Sequence, residues 1–263
     1  MLLILGWLGS LLMGMVLGLV GGGGSILTVP ILVYLMEVKP VLATSYSLFV
    51  VGTTTLIGTL LYIREKLVDY RMGMVFATPA FLGVFLVRRF GIPAIPEELG
   101  TFGSVVFSRD MLVMVVFAAI MILASVSMLR KSKTNTVSGA QKFNYPLIAG
   151  EGLLVGGVTG FVGAGGGFLI IPALVVLARL PMKVAVGTSL MIIAVKSLFG
   201  FVGDLGTQEI QWKFLALFSG LAAVGLLLGV RLSRKISGEQ LKPAFGWFVM
   251  VMGIAILIRE TVF

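Results

Sequence analysis

Two glycine-rich stretches are the parts of this chain best suited to bind a ligand. GLVGGGGSILTVPIL occupies residues 18–32, and GFVGAGGGFLIIPAL occupies residues 160–174. A half-helix that begins directly after a glycine turn presents unpaired N–H groups and the positive end of its dipole, which suit an anion. We therefore predict two anion-binding helix ends, which together comprise Gly23, Gly24, Ser25, Gly165, Gly166 and Gly167.

Close helix packing is the alternative use of these glycines, because small residues let two membrane helices approach each other. Spaced glycines such as Gly14 and Gly18 fit that use. The consecutive glycines at 21–24 and 165–167 do not, since a packing face needs small residues at helical spacing. We assign ligand binding to the consecutive runs and packing to the spaced glycines.

Small hydroxyl groups follow each glycine stretch, at the start of the next apolar segment. ATSYS occupies residues 43–47, and VGTSL occupies residues 186–190. Such hydroxyls either donate to an oxyanion or cap the helix that begins there. The candidates for anion binding are Thr44, Ser45, Thr188 and Ser189.

Lys196 is the only cation deep inside a predicted span. A charge at membrane depth is costly and usually faces a cavity or a partner. Lys196 is therefore a candidate for attracting an anionic substrate, and a structural pair with a carboxylate or a carbonyl is the alternative. Glu151 and Asp204 are candidates for proton coupling or for pairing with Lys196, and a solvated place at the membrane interface is the alternative for both.

The composition excludes several other classes of function. The chain contains no His and no Cys, so the commonest general base and all thiolate chemistry are absent. Paired carboxylates, a Walker motif and an HExxH motif are also absent, and GAGGG at 163–167 lacks the βαβ context of a dinucleotide fingerprint. We expect no catalytic residue, no metal site, no cofactor and no nucleic-acid partner.

The elements that must position these groups are membrane helices. Of the 263 residues, 58% are hydrophobic and only 12% are charged, and the mean hydropathy is +1.11. A soluble chain carries about 25% charged residues, and ~20 apolar residues suffice to cross a bilayer. We predict an all-α polytopic membrane protein in a lipid bilayer, with spans or broken spans at 2–36, 41–63, 72–87, 111–129, 146–178, 184–203, 214–230 and 243–258.

The chain is predicted to contain two tandem repeats. The second glycine stretch matches the first with no gap, and the shift in numbering that carries Gly21 onto Gly163 also carries Gly83 onto Gly225 and Arg89 onto Arg231. We call this constant offset the repeat shift. A repeat of this kind decides the architecture before any single motif does. The predicted units are an N-terminal transmembrane repeat at 1–130, a basic cytoplasmic linker at 131–142 and a C-terminal transmembrane repeat at 143–263.

Loop charges favour one of two topologies for the glycine stretches. If each stretch turns back as a hairpin, a repeat has three further crossings and the two repeats are inverted. Thirteen Lys and Arg residues then face the cytoplasm and six face outside. If each stretch crosses once, the counts are nine and ten. Because cytoplasmic loops carry the excess of basic residues, we predict glycine-broken hairpins and inverted repeats.

The doubled motif resembles the TauE/SafE family of membrane transporters. The residues that carry the resemblance are the two Gly-rich segments, each followed by a short loop and then ATS or GTS, and the resemblance covers nearly the whole chain. It implies movement of a small anion across the cytoplasmic membrane, such as sulfite, sulfoacetate or another organosulfonate. Lys196 departs from the resemblance, because a small polar residue is expected at that position.

We therefore predict a secondary transporter, not an enzyme, that binds a small anion between two repeats and works by alternating access, with proton or ion coupling as a further option. Secondary transporters commonly combine repeats with Gly- or Pro-interrupted helices at matching positions. An anion channel with the same site is the first alternative. A membrane protein without a transport function is the second, and the lack of His, Cys and paired carboxylates argues against its being an enzyme.

The hairpin topology predicts that Lys39 and Lys183 lie on opposite sides of the membrane. Because the chain has no Cys, Lys39→Cys and Lys183→Cys each introduce a single thiol. A membrane-impermeant maleimide added to whole cells should label the Lys39→Cys variant and should label the Lys183→Cys variant only after permeabilisation. Labelling of both variants from the same side would show that the repeats are not inverted.

Overall fold

A computed structural model of the chain describes residues 2–102, 105–129, 145–176, 180–206, 209–233 and 238–262. The predicted linker at 131–142 lies outside these residues. In the first half, α1 is followed by a short second arm, α2, which consists of a 3-10 turn, one helical turn and a π turn. The elements are α1 (Leu2–Val20), α2 (Gly23–Leu27, Thr28–Pro30 and Ile31–Leu35), α3 (Pro40–Arg64), α4 (Tyr70–Ala94), β1 (Glu98–Phe102), β2 (Val105–Ser108) and α5 (Arg109–Leu129).

The second half contains five helices that follow one another in the same order as α1 to α5. They are α6 (Tyr145–Val162), α7 (Gly167–Val176), α8 (Met182–Asp204), α9 (Trp212–Ser233) and α10 (Gly238–Val262). Within the described residues, six helices are long and apolar enough to cross a membrane, and two shorter apolar helices accompany them. The prediction of an all-α polytopic membrane protein is confirmed. The repeat boundaries stay a prediction.

One short hairpin interrupts the helical architecture. Strands β1 and β2 pair antiparallel, with Thr101 opposite Val106. This hairpin lies between α4 and α5. We call the end of the molecule that carries this β-hairpin the hairpin end. The opposite end, where Arg64 and Arg231 lie, is the linker end.

A glycine in the left-handed backbone conformation ends the first helix of each half, α1 and α6, and the two glycines are equivalent under the repeat shift. Gly21 has φ 77° and Gly163 has φ 73°. The N–H of Gly21 donates to Leu17 at 2.9 Å, and that of Gly163 donates to Thr159 at 2.8 Å. Glycine adopts this conformation without the steric cost that a Cβ imposes, which is why it commonly closes a helix. The residues just beyond can then leave the helix axis.

The first glycine stretch turns back on itself. Gly24 lies against the backbone of Leu17, and Gly9 lies against the side chain of Ile31. Gly6 in turn packs against Met36. Residues later in α2 therefore lie beside residues earlier in α1, so the two arms are antiparallel. The predicted glycine-broken hairpin is present in the first half.

Contacts between helices of the two halves occur in equivalent pairs. When each residue of one contact is replaced by its equivalent under the repeat shift, the result is a second contact that is also present. A Cβ at Gly14 of α1 would meet the backbone of Ala222 in α9, and a Cβ at Gly156 of α6 would meet the backbone of Ala80 in α4. The repeat shift carries Gly14 onto Gly156, and its reverse carries Ala222 onto Ala80. Both pairs bring two helix backbones into contact, which only small residues permit.

The equivalent helices α3 and α8 pack against each other in opposite directions. Gly52 lies against Leu198, and Gly58 lies against Leu190. As residue numbers rise along α3, those of its neighbours in α8 therefore fall. The helices α5 and α10 form a more peripheral pair, in which Gly253 lies against Met121 and Ile122. α3 and α8 thus form the centre of the bundle.

The α1–α9 contact predicts a large cost for a methyl group at Gly14. Gly14→Ala would force the backbone of Ala222 away, and overpacking of this kind costs about 1–3 kcal/mol. Gly220→Ala is the matched control, because nothing lies within 4 Å of its added Cβ. Thermal unfolding in detergent, followed by tryptophan fluorescence, should show a lower midpoint for Gly14→Ala only. Equal midpoints for the two variants would contradict the close α1–α9 contact.

Candidate functional site

The two glycine breaks meet each other in the interior of the protein. Gly22 and Gly167 are in backbone contact, so that a Cβ on either would collide with the Cα of the other. The Ser25 hydroxyl lies 2.6 Å from the carbonyl oxygen of Ala164 and 2.7 Å from that of Gly22. The repeat shift converts the Gly22–Gly167 contact into the Ala164–Ser25 contact. The breaks therefore meet in two equivalent pairs.

This meeting point lies level with the midpoints of the central helices. Gly165 lies against Val51 in α3, and Gly22 lies against Ile193 in α8. Val51 and Ile193 are themselves related by the repeat shift and are both fully buried. Non-helical backbone survives at membrane depth only where protein encloses it or where it lines a cavity. Here each break is enclosed by the other break and by the middle of α3 or α8.

Lys196 reaches the second break. Its Nζ donates to the Thr159 hydroxyl at 2.6 Å, and a Cβ at Gly166 would lie 3.3 Å from that Nζ. The side chain is fully buried. The first turn of α7 begins at the next residue, Gly167, and the Leu169 and Ile170 N–H groups in this turn donate to the carbonyl of Gly166 at 3.0 and 3.1 Å. The ammonium group and this helix end are thus side by side.

The charge on Lys196 is not balanced by a carboxylate. Among the described residues no Asp or Glu oxygen lies within 4.0 Å of its Nζ. The option that Glu151 or Asp204 pairs with Lys196 is therefore not realised among the described residues. The hydroxyl of Thr159 is a neutral partner and supplies no counter-charge to the ammonium form of Lys196. A buried charge without a counter-ion is costly, which is why such residues usually face a ligand or a cavity.

The first break has a hydroxyl where the second has a lysine. The repeat shift carries Thr54 onto Lys196, and Thr54 is also fully buried. Among the described residues, Thr54 Oγ1 has no hydrogen-bond partner, and neither does Thr28 Oγ1 beyond the same break. The interior around the breaks therefore contains one buried lysine and two buried hydroxyls that have no hydrogen-bond partner among the described residues.

The predicted hydroxyls at the start of α3 divide between two places. The Thr44 hydroxyl donates to Val41 at 2.7 Å, within its own helix, while the Thr44 backbone packs against Gly163. Ser45 instead lies beside Asp204, away from the centre. Ser47, in the same sequence, donates to the carbonyl of Gly163 at 2.7 Å. This start of α3 therefore supports the second break.

The hydroxyls at the start of α8 mainly serve backbone groups. The Thr188 hydroxyl accepts from the Asp69 N–H at 2.9 Å, and the Ser189 hydroxyl donates to Val186 at 2.8 Å. Ser189 matches Ser47 under the repeat shift, so the ATS and GTS sequences are not structurally equivalent. Thr188 matches Tyr46, whose hydroxyl accepts from the Gln211 N–H at 2.8 Å.

The acidic candidates lie away from Lys196. Asp204 is buried and forms an ion pair with Arg88, with 3.2 Å between Oδ2 and Nη1. Glu151 is half-buried in α6, and among the described residues its Oε2 atom has no hydrogen-bond partner. Neither acid completes the central site. Asp204 instead belongs to a second charged group near the hairpin end.

Arg88 is the buried charge that sequence reasoning missed. The count of loop charges placed Arg88 among the six basic residues outside the membrane, yet only 1% of the residue is exposed. Arg89 has the counterpart Arg231, whereas Arg88 has the apolar counterpart Val230. This difference between the repeats was the available signal, because a charge present in one repeat alone is not needed for the shared fold.

Two cavities lie at opposite ends of α3, one on each side of the centre. The cavity at the hairpin end measures about 480 Å³ and is lined by Arg88, Asp204 and the start of α3. The cavity at the linker end measures about 360 Å³ and is lined by Leu61, Val230 and charged residues at its rim. The repeat shift relates Arg88 of the first to Val230 of the second. Between them, Ser25, Thr54 and Lys196 are fully buried, so the centre is closed.

Comparison with known proteins identifies a common group. A family model described as "Sulfite exporter TauE/SafE" matches residues 6–256. The probable membrane transporter protein YunE of Bacillus subtilis (strain 168) is 32% identical over 274 residues, which covers 95% of this chain and 92% of the relative. A probable membrane transporter protein of Xylella fastidiosa (strain 9a5c) is 28% identical over 257 residues, with the same coverage.

A more distant relative has the same extent. A probable membrane transporter protein of Methanocaldococcus jannaschii is 24% identical over 270 residues, and the alignment covers 94% of each chain. No solved structure matches the chain. The alignments with these relatives therefore extend over both halves of the chain.

The Lys196–Thr159 contact predicts that Thr159→Val destabilises the protein because it removes the only hydrogen-bond partner that the described residues give Lys196. The expected loss is about 1–3 kcal/mol. The same substitution in a Lys196→Met background should cost much less, and Thr78→Val, at an exposed intrahelical hydroxyl, is the control. Thermal unfolding of the four variants measures the coupling. Equal losses in both backgrounds would mean that Thr159 does not stabilise the lysine.

Proposed function

The chain belongs to the sulfite exporter TauE/SafE family and is a membrane transporter, and we propose that it carries a small sulfur-containing oxyanion across the cytoplasmic membrane by alternating access. Sulfite, sulfoacetate and other organosulfonates form the proposed substrate class. The family description names sulfite export, and the site described above supplies the groups that such an anion needs.

The observation that carries this proposal is the uncompensated charge of Lys196. Its ammonium group lies at the N-terminal end of α7, beside Gly166, and no carboxylate within the described residues neutralises it. A helix N-terminus and a desolvated ammonium both favour negative charge at the same point. A bound anion would therefore supply the missing counter-charge.

Inverted repeats account for the way the halves contact each other. Equivalent helices α3 and α8 run antiparallel, and contacts such as Gly14–Ala222 and Gly156–Ala80 exchange under the repeat shift. Two repeats related by an axis in the membrane plane would give these relations. Such a pair has two equivalent states, each open to one side, which is the basis of alternating access.

The two cavities are the proposed access routes of these states. They lie at opposite ends of α3, and the contact between the breaks lies level with the midpoint of that helix. The conformation described here would then be an occluded one. Rocking of one repeat against the other would join the centre first to one cavity and then to the other.

Proton coupling is a narrower hypothesis. Asp204 is already neutralised by Arg88 at 3.2 Å, so Glu151 is the better candidate of the two acids. One of its carboxylate oxygens is buried without a hydrogen-bond partner among the described residues. A carboxyl group of this kind is suited to hold a proton in one state and release it in another.

An anion channel with the same central site is the second candidate. Its support is the pair of cavities at opposite ends of α3. The two candidates differ in energetics, because a channel only dissipates a gradient. Accumulation of sulfite in proteoliposomes against its own gradient, driven by an imposed proton gradient, would exclude the channel.

Lys196→Met should reduce transport of sulfite and sulfoacetate into proteoliposomes on the order of tenfold or more, because a charged hydrogen-bond donor to the anion is lost. Lys183→Met is the matched control, since Lys183 lies in the first turn of the same helix and is exposed. Transport is measured as initial rates at equal reconstituted protein. Wild-type rates in the Lys196→Met variant would overturn the proposed site.

A further inference from the structure

The cavity at the hairpin end contains a buried guanidinium group whose function is not explained by the central site. Arg88 lines this cavity, and its side chain is 1% exposed. It lies in a π turn at Val87–Gly91, where α4 departs from regular helical geometry. Turns of this type occur frequently at functional sites. The equivalent part of α9 is regular helix through Val230.

Asp204 satisfies only part of the Arg88 guanidinium. The ion pair joins Asp204 Oδ2 to Nη1 at 3.2 Å. The Nε and Nη2 atoms of Arg88 are buried and have no hydrogen-bond acceptor among the described residues. These two atoms form one edge of the planar guanidinium group. That edge presents two parallel N–H donors, the arrangement that binds two oxygens of one anion.

We propose that the cavity at the hairpin end is a second oxyanion site, in which the Nε–Nη2 edge of Arg88 binds two oxygens of a sulfite, sulfonate or carboxylate group. This inference rests on the proposed function as an anion transporter. The site would hold the anion before or after its passage through the centre. Asp204 lies two helical turns beyond Lys196 in α8, which is about 12 Å along a helix.

The other acids around the cavity contact groups other than Arg88. Among the acids, Asp110 accepts from the Val41 N–H at 3.0 Å, and Glu97 lies 3.6 Å from Arg109 at the rim. Lys39 also lines the cavity and adds a cation near its opening. An entering anion would thus meet basic groups at the rim and a desolvated guanidinium edge at the base.

Among the described residues, a buried guanidinium group lines only the cavity at the hairpin end, because Arg64 and Arg231 of the other cavity are exposed. The counterpart of Arg88 in the other cavity is Val230, and the counterpart of Asp204 is Tyr62. The cavity at the linker end therefore has no guanidinium group at the equivalent place. The two access routes would bind anions with different affinity, although the helices around them are arranged alike.

Arg88→Lys tests the paired donors without removing the charge that faces Asp204. Lysine is a point charge and cannot provide the two-donor edge. Arg89→Lys is the matched control, because Arg89 is the next residue and is exposed. Binding of sulfite and of sulfoacetate to the purified full-length protein is measured by titration calorimetry at constant ionic strength, with chloride as a monatomic anion for comparison.

We expect two binding events per chain in the wild type and in Arg89→Lys. In Arg88→Lys one of them should weaken on the order of tenfold or more for sulfite and sulfoacetate, with little change for chloride. In Lys196→Met the other event should be lost. Thermal unfolding of the Arg88→Lys variant, together with its retained second event, shows that the protein is folded.

The outcomes separate the two proposals. Unchanged sulfite binding in Arg88→Lys, or a single event that Lys196→Met abolishes, overturns the site at Arg88 and leaves the central site intact. If the binding event that depends on Arg88 is present but the Lys196→Met variant transports at the wild-type rate, the proposed central site is overturned. That result would support the site at Arg88. An equal loss for chloride and sulfoacetate would overturn two-oxygen recognition.

Discussion

Backbone that leaves the helix inside a membrane must be enclosed by protein, and the structure depends on that constraint. The chain departs from helical geometry after Gly21 and after Gly163. Each departure is covered by the other, through the Gly22–Gly167 and Ser25–Ala164 contacts. No larger side chain fits at Gly22 or Gly167. The breaks therefore fix how the two halves meet, and the central helices α3 and α8 pack around that contact.

Two buried cations play different parts in this arrangement. Arg88 has a carboxylate partner in Asp204, so its charge is balanced within the protein. Lys196 has only the Thr159 hydroxyl among the described residues, so its charge is not balanced. The cost of a desolvated ion depends on its counter-charge. An anion bound at the centre would gain the attraction that no protein group supplies, which is why Lys196 is central to the proposed function.

The repeats are alike in backbone and different in charge. Contacts such as Gly14–Ala222 and Gly156–Ala80 preserve the helix packing in both halves. Lys196 is replaced by Thr54 in the other half, and Arg88 by Val230. Packing needs the same small residues on both sides of the repeat, whereas a single anion site needs a cation only once. The proposed function therefore lies in the positions where the repeats differ.

The helical membrane fold, the doubled plan and the two glycine breaks could be predicted from the sequence, because hydrophobic length, a constant shift and glycine runs can be read without knowing which helices touch. The sequence also singled out Lys196 as a cation at membrane depth. The contacts of the polar side chains could be seen only in the tertiary structure. Asp204 pairs with Arg88, Thr188 accepts from Asp69, and Ser45 lies beside Asp204 instead of at the centre. Those contacts join helices distant in sequence, whose relative rotation and depth depend on packing that no single segment contains.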